Sequence, residues 1–298
     1  MAWRWAYLVI SGILIIGSLL SLAVRGLNFG IDFQGGILLE VRMPGTADLG
    51  SMRQALGGLD LGDVSLQEFG SADTVLIRVP KQDGSEEAQQ RAVSAVKEAL
   101  GPAVQYRRVE FVGPQVGAEL LREALYAVAA ALFAIMVYIW FRFEWQFGVC
   151  GLVSLLHDVI ATAGIFSVLD YEFNLTIVAA IMTIAGYSIN DTVVVFDRVR
   201  ENMRKYKTMP MPALIDLSVN QTLSRTILTG TTTLFTLLSL YFLGGEVLRG
   251  FSFAMIWGIV VGTYSSVCVA VPLLLLLKVR HSTLGGESTA QTAEQQQP

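Results

Sequence analysis

Asp191 is the first charge in a long apolar stretch that runs on to Asp197, within the segment GYSINDTVVVFDRVREN from Gly186 to Asn202. A carboxylate inside a membrane-length apolar run is costly, and such residues face a bundle interior or wet cavity and mark ion pathways, proton relays or ligand sites. The chemistry open to Asp191 is reversible protonation. It lies roughly 9 Å of helix rise from the charged end of its run. Arg225 opens the next apolar run from the same end, preceded by Asn220, Gln221 and Thr222, so a helix beginning before it brings the guanidinium to a similar depth. Thr229, four residues on, shares the face of Arg225, and its hydroxyl can both donate and accept a hydrogen bond. Acid, permanent cation and relay hydroxyl are the parts of a proton-exchange site. The plainer reading is a structural ion pair between two helices. Against it, desolvation makes a buried pair a weak source of stability, and a carboxylate near a cation in low dielectric can be tuned for reversible protonation.

His157 and Asp158 interrupt another apolar run near its middle. Adjacent helical residues point in different directions, so one of the two is expected to face the bundle. Asp158 is a second, weaker proton-site candidate, and a structural hydrogen bond to a neighbouring helix accounts for it equally well. Asn190 is expected to hydrogen-bond between helices. Gly258, Gly262, Ser266 and Ala270 form a small-residue stripe that allows close helix approach, against another part of this chain in preference to a partner.

The elements that must position these residues are six apolar runs, each near the roughly 20 residues that cross a bilayer: Trp5–Val24, Ala124–Phe141, Trp145–Leu169, Phe173–Phe196, Thr226–Gly245 and Gly250–Leu277. The first is expected to stay as an anchor, because an uncharged run of about 20 residues exceeds the usual apolar core of a cleaved signal. Arg198, Arg200, Arg204, Lys205 and Lys207 follow the fourth run, whereas Asp170 to Asn174 on the opposite side carries only acidic charge. Lys and Arg accumulate in cytoplasmic loops, so both termini are expected in the cytoplasm.

Residues 26–119 then form an extracytoplasmic domain, 120–280 a five-helix membrane domain after the first helix (1–25), and 281–298 a disordered tail poor in apolar residues. In the external segment Ile37, Leu39, Val41 and Met43 alternate as one face of a strand. A helix capped near Asp48 and stopped at Gly57-Gly58 follows. Strands around Val64–Leu66 and Val75–Val79 flank a turn at Gly70-Ser71. Ser85–Leu100 reads as a helix, and Val104–Phe111 as a last strand whose alternation shifts at Arg107-Arg108, as a bulge does. The order βαββαβ is that of a ferredoxin-like domain, so the fold class is a polytopic α-helical membrane protein with an inserted α+β domain.

Composition agrees: 53% hydrophobic and 15% charged residues, with a mean hydropathy of +0.54, describe a multi-span membrane protein. No basic footprint for nucleic acid, phosphate loop, metal-ligand cluster or nucleophile motif is visible. Cys150 and Cys268 both sit in apolar runs, where thiols pack and structural disulfides are not expected. An intramembrane aspartyl protease would use two buried acids, but the contexts LHD and IND lack that class's motifs. A proton-driven small-molecule exporter would share the proton site, with larger external domains.

At these residues the chain resembles the SecD/SecF family of protein-export membrane proteins, in the RND superfamily, over nearly everything but the tail. The segments that carry the resemblance are GIDFQGG from Gly30, VGPQVG from Val112, LLHDVI from Leu155, YSINDTVVVFDRVREN from Tyr187 and NQTLSRTILTGTTT from Asn220. Gln34 and Ile37 stand where the family more often has threonine. The resemblance implies a non-enzymatic six-span half in a prokaryotic cytoplasmic membrane that associates with SecD and works beside the SecYEG channel. There it would use the proton-motive force, without a cofactor, to help complete export of an unfolded protein. It matches Asp191, Arg225 and Thr229 to the family's buried acid, its basic partner and the threonine one turn later.

Overall fold

The computed structural model describes residues 4–62, 64–82 and 86–277; the tail at 281–298 lies outside the described residues. Six helical spans among these residues are long and apolar enough to cross a membrane. They are α1 (Arg4–Val24), α5 (Pro114–Arg142), α6 (Trp145–Leu169), α7 (Leu175–Lys205), α8 (Met211–Leu243), and a sixth made of α9 (Glu246–Ser265), a π-helical segment (Ser266–Ala270) and α10 (Val271–Leu276). Several helices outrun their apolar runs. α5 begins at Pro114 and α8 at Met211, well before Ala124 and Thr226, because Glu119, Arg122, Asp216 and Arg225 are good or tolerable helix residues. Charges mark where the hydrocarbon ends, whereas proline near the first helical position marks where α5 and α8 start.

α7 is the central helix, packed by α6, α8 and α9. α1 lies outside, held to α6 by a 2.8 Å hydrogen bond between the Ser21 and Ser167 hydroxyls and to α9 by one of 3.1 Å between those of Ser11 and Tyr264.

Between α1 and α5 come β1 (Asn28–Phe29), α2 (Ile31–Gln34), β2 (Gly36–Arg42), α3 (Leu49–Gly57), β3 (Ser65–Phe69), β4 (Ser71–Val79), α4 (Glu86–Leu100) and β5 (Gln105–Val112). The four longer strands form an antiparallel sheet in the order β3-β4-β2-β5, the ferredoxin-like arrangement expected from the chain order. Ile37, Leu39 and Val41 of β2 pack with Val75, Ile77 and Val79 of β4 beneath Met52 and Leu56 of α3 and Ala92 and Val96 of α4. The Asp48 carboxylate caps α3, accepting from the backbone N–H groups of Gly50 at 2.9 Å and Ser51 at 3.3 Å. Arg108 pairs with Glu40 and Tyr106 with Val41, so Arg107 is the extra residue of a bulge at the expected place.

The inserted α+β domain is clasped to the spanning helices where α6 turns into α7. β6 (Glu172–Phe173) pairs in parallel with β1. Asp32 of α2 accepts a 3.0 Å hydrogen bond from the N–H of Leu175, the first residue of α7, where a carboxylate also meets the positive end of the helix dipole. Gly117 of α5 has no side chain here for a reason: a Cβ would lie 2.9 Å from the carbonyl oxygen of Phe33 and 3.1 Å from the N–H nitrogen of Gly35. Arg78 of β4 forms an ion pair with Glu172.

Burial pushes the Glu172 carboxyl above its usual value, Arg78 pulls it back, and Asp32 and Glu110 push it up again. The folded chain therefore holds this proton at pH values where an unfolded chain has released it. The group's contribution to stability is fully present below the ordinary value of 4.5 and is lost as pH rises through the raised one. Glu172→Gln fixes the neutral form and is expected to leave thermal stability at pH 7 unchanged or higher. Arg78→Gln strands a mostly buried carboxylate and is expected to cost about 1–3 kcal/mol at pH 7, with the deficit shrinking toward pH 5. Thermal unfolding of both full-length variants in detergent at the two pH values measures this; a larger loss for Glu172→Gln would contradict it.

Candidate proton-exchange site

The structure places Asp191 inside the bundle on α7, 4% exposed, and its Oδ2 has no hydrogen-bond partner. Arg225, on the adjoining α8, is exposed. Its charge is near enough to act on Asp191, yet among the described residues no ion pair or hydrogen bond joins the two. Thr229 is half-buried one turn beyond Arg225, and its hydroxyl donates back to the carbonyls of Arg225 at 3.0 Å and Thr226 at 3.1 Å. That leaves its oxygen lone pairs available. Thr226, on the buried side of α8 and 1% exposed, has an unpartnered hydroxyl. The three expected residues are thus brought to neighbouring helices but not closed into a structural pair.

Asn202 of α7 secures this helix pair at its basic end. Its Nδ2 donates to Ser218 Oγ at 2.8 Å and Gln221 Oε1 at 2.9 Å, one turn before Arg225. Along the outer face of α8, Gln221, Arg225, Thr229, Thr232, Thr236 and Ser239 follow at three- or four-residue steps, all exposed except half-buried Thr229. The hydroxyls of Thr232, Thr236 and Ser239 are satisfied by carbonyls one turn back; the Arg225 guanidinium has no such recourse. Ala179, Thr183, Gly186 and Asn190 form an exposed small or polar strip on α7. The interhelical hydrogen bond expected of Asn190 is not made among the described residues, where its side of α7 is left uncovered.

Asp158 behaves differently. It is fully buried, and its oxygens are filled: Oδ1 lies 3.0 Å from His157 Nδ1, and Oδ2 accepts from Ser188 Oγ at 2.5 Å and Ser265 Oγ at 2.8 Å. Ser154 Oγ donates to Ser265 Oγ at 3.1 Å. The expectation that only one of His157 and Asp158 faces the bundle is corrected, since both are buried. α6 is packed on several sides, by α1, α7 and α9, so a turn of about 100° between neighbours still ends in the interior. His157 sits beside the Tyr264 ring with its Nε2 unpartnered. The small-residue stripe of the sixth span is buried within the chain: a Cβ on Gly262 would stand 3.1 Å from Ser188 Cβ and 3.5 Å from Asp158 Oδ2. Gly262 is what lets α9 approach the carboxylate.

Ser188, Ser265 and Asn202 escaped the sequence reading because isolated serines and asparagines are common in spans. Ser188 had one usable signal, its position one turn before Asp191 on the same side of α7. Asp32 stood inside the GIDFQGG segment, but nothing local marked its contact with Leu175. No group of three or more His, Cys, Asp or Glu residues able to hold a metal is present among the described residues.

Residues 92–280 match the family model of the protein-export membrane protein SecD/SecF, C-terminal, and residues 20–43 match that of the SecD/SecF GG motif. SecF of Cereibacter sphaeroides is 48% identical over 275 residues, covering 89% of this chain and 85% of its own. SecF of Magnetococcus marinus is 49% identical over 275 residues, covering 90% of this chain and 88% of its own. The chain belongs to the SecD/SecF family. It is similar in structure to the crystal structure of the Thermus translocon-associated membrane protein SecDF, with a TM-score of 0.82 at 35% identity over 93% of this chain. For SecDF in a super-membrane-facing form the TM-score is 0.66 over 96% of this chain. The chain spans 38% and 39% of those two SecDF chains. As a member of the SecD/SecF family it is a multi-pass membrane transport protein and not an enzyme.

Asp158 gathers Ser188, Ser265 and the His157 ring, and removing it leaves Ser188 Oγ and His157 Nδ1 buried without this partner, whereas Ser265 keeps the carbonyl of Gly262 at 3.1 Å. Asp158→Ala is expected to lower unfolding stability in detergent by roughly 3 kcal/mol, while Asp158→Asn, which keeps the shape and part of the acceptor capacity, loses less than half as much. Equal losses for the two variants would show that the hydrogen bonds carry little of the packing.

Proposed function

We propose that this chain is the SecF half of a SecD–SecF unit that couples proton passage to a late step of protein export, in a bacterial or archaeal cytoplasmic membrane with both termini cytoplasmic. The single observation that carries the reading is Asp191, buried with one carboxylate oxygen unpartnered beside a cation that does not close onto it. A purely structural pair gains only by closing fully, since a buried charge without its partner is destabilising. A proton carrier instead needs an oxygen open to a proton donor, and a nearby cation that favours releasing the proton again. Asp158 is the weaker second candidate. Ser188 connects it to α7 one turn from Asp191, which makes it a support for α7 as well as a possible stage for a proton.

α7 also supplies a route from the proton to the external domain. Its first turn is held by Asp32 and by the β1–β6 pair, and Asp191 lies farther along the same rod. A shift of α7 when Asp191 changes charge would reach the clasp, and through it the domain proposed to act on the unfolded protein leaving the SecYEG channel. The outer faces of α7 and α8 support SecD as partner, because an arginine and asparagine cannot be left to hydrocarbon cheaply. The relation to SecDF chains more than twice as long is consistent with a second half that covers these faces.

Asp191→Asn keeps the shape and removes the titratable group, and Arg225→Lys keeps a charge without the planar multi-donor guanidinium. Both are expected to abolish proton-dependent stimulation of export, roughly a tenfold or greater loss, while still assembling with SecD. Normal proton-dependent export by Asp191→Asn in cells lacking the native copy would sink the mechanism. Topology is checked separately: a cysteine placed at Ser71 is expected to label only from outside the cell and one at Lys205 only from the cytoplasm.

A further inference from the structure

We propose that a cleft at the basic end of the bundle, between the last turn of α5 and the last two turns of α7, binds the phosphate of an anionic phospholipid. The cleft encloses about 570 Å³, and every residue lining it is charged: Arg142, Asp197, Arg200, Glu201, Arg204 and Lys205. Asp197, Arg200, Glu201, Arg204 and Lys205 recur at three- and four-residue steps along one side of α7.

The two carboxylates are already engaged. Asp197 accepts from Arg142 Nη2 with both oxygens, at 2.8 and 3.0 Å, and Glu201 accepts from Arg198 at 2.9 Å. Arg200 is anchored, its Nη1 donating to the carbonyl of Arg142 at 3.0 Å, while its buried Nε has no hydrogen-bond partner and lies 3.6 Å from Glu144. Arg142 and Arg200 stand 5.0 and 5.9 Å from the centre of the Phe143 ring, which holds the two guanidinium groups in place. Arg204 and Lys205 complete the rim with no carboxylate partner among the described residues, and both are exposed. Fixed cations with spare donors around a concavity suit an oxyanion.

The height of the cleft selects the source of that oxyanion. Tyr138, Trp140, Phe141 and Trp145 are all exposed around Arg142, Phe141 to 90%. Amphipathic aromatic side chains gather at headgroup level on a spanning protein, so the cleft opens where lipid phosphates are most concentrated. Basic pockets between spans at this level take anionic lipid headgroups.

The full-length chain, reconstituted in phosphatidylcholine nanodiscs with graded phosphatidylglycerol, tests this by the amount of spin-labelled phosphatidylglycerol it immobilises. Arg204→Gln with Lys205→Gln is expected to weaken phosphatidylglycerol binding about thirtyfold, from two cations at a lipid surface. Arg4→Gln with Lys207→Gln, an equal loss of charge outside the cleft, is expected to change it less than threefold. Equal effects of the two pairs would overturn the site in favour of diffuse surface attraction, and unchanged binding by the cleft pair would overturn it outright. Displacement of the labelled lipid by millimolar inorganic phosphate would assign the cleft to a soluble anion and overturn the lipid.

Discussion

A hydrocarbon slab offers no water to a polar group, so each one at depth must find its partner in protein. Much of this architecture follows from how that constraint is met at two carboxylates. Asp158 meets it entirely inside the chain, with hydroxyls from α7 and α9 and a ring nitrogen from its own helix. Asp191, also buried, keeps its Oδ2 without a hydrogen-bond partner, on a helix that, like α8, exposes a strip of small or polar residues. The first carboxylate fastens three helices; the second, one turn from Ser188, sits at the border of what is fastened. The hydrogen bond from Ser188 fixes the register of α7 against α6 one turn before Asp191.

The clasp at the opposite end applies the same economy to the backbone. The first N–H groups of α7 need acceptors, and they receive the side chains of Asn174 and Asp32. Because one of those acceptors belongs to the inserted domain, ending the helix and docking the domain are a single event. Glycine at position 117 removes the bulk that would otherwise separate α5 from α2 at that junction.

What could be read from the chain was local or periodic. Six apolar runs, the alternation of Ile37, Leu39 and Val41, the cap at Asp48 and the shifted alternation at Arg107 all lie within a few residues of the feature they report. Asp191 and Arg225 drew notice for a related reason: an ionisable group in or beside an apolar run stands out against its neighbours. The contact of Asp32 with Leu175 crosses 143 residues of sequence, and the Asp158 network draws on three helices, so neither left a pattern at short range. The apolar runs did not mark the starts of α5 and α8, because hydrocarbon thickness and hydrogen-bonded length are separate quantities, and only the first is written in hydropathy. That both His157 and Asp158 are interior follows from the number of neighbours around α6, which a single run does not encode.

The π-helical segment in the sixth span bears on how that span can keep its contacts. Residues four apart on an α-helix overshoot a full turn by about 40°, so the line through Gly258, Gly262, Ser266 and Ala270 would wind steadily away from a straight neighbour. Between Ser266 and Ala270 the bonding reaches one residue farther, each residue rotates the chain less, and the drift reverses. The wider turn acts as a phase corrector. It keeps Val271 and Leu274 facing the same hydrophobic cluster as Phe196 and Val199 of α7, so the span stays against α7 beyond the end of its small-residue stripe.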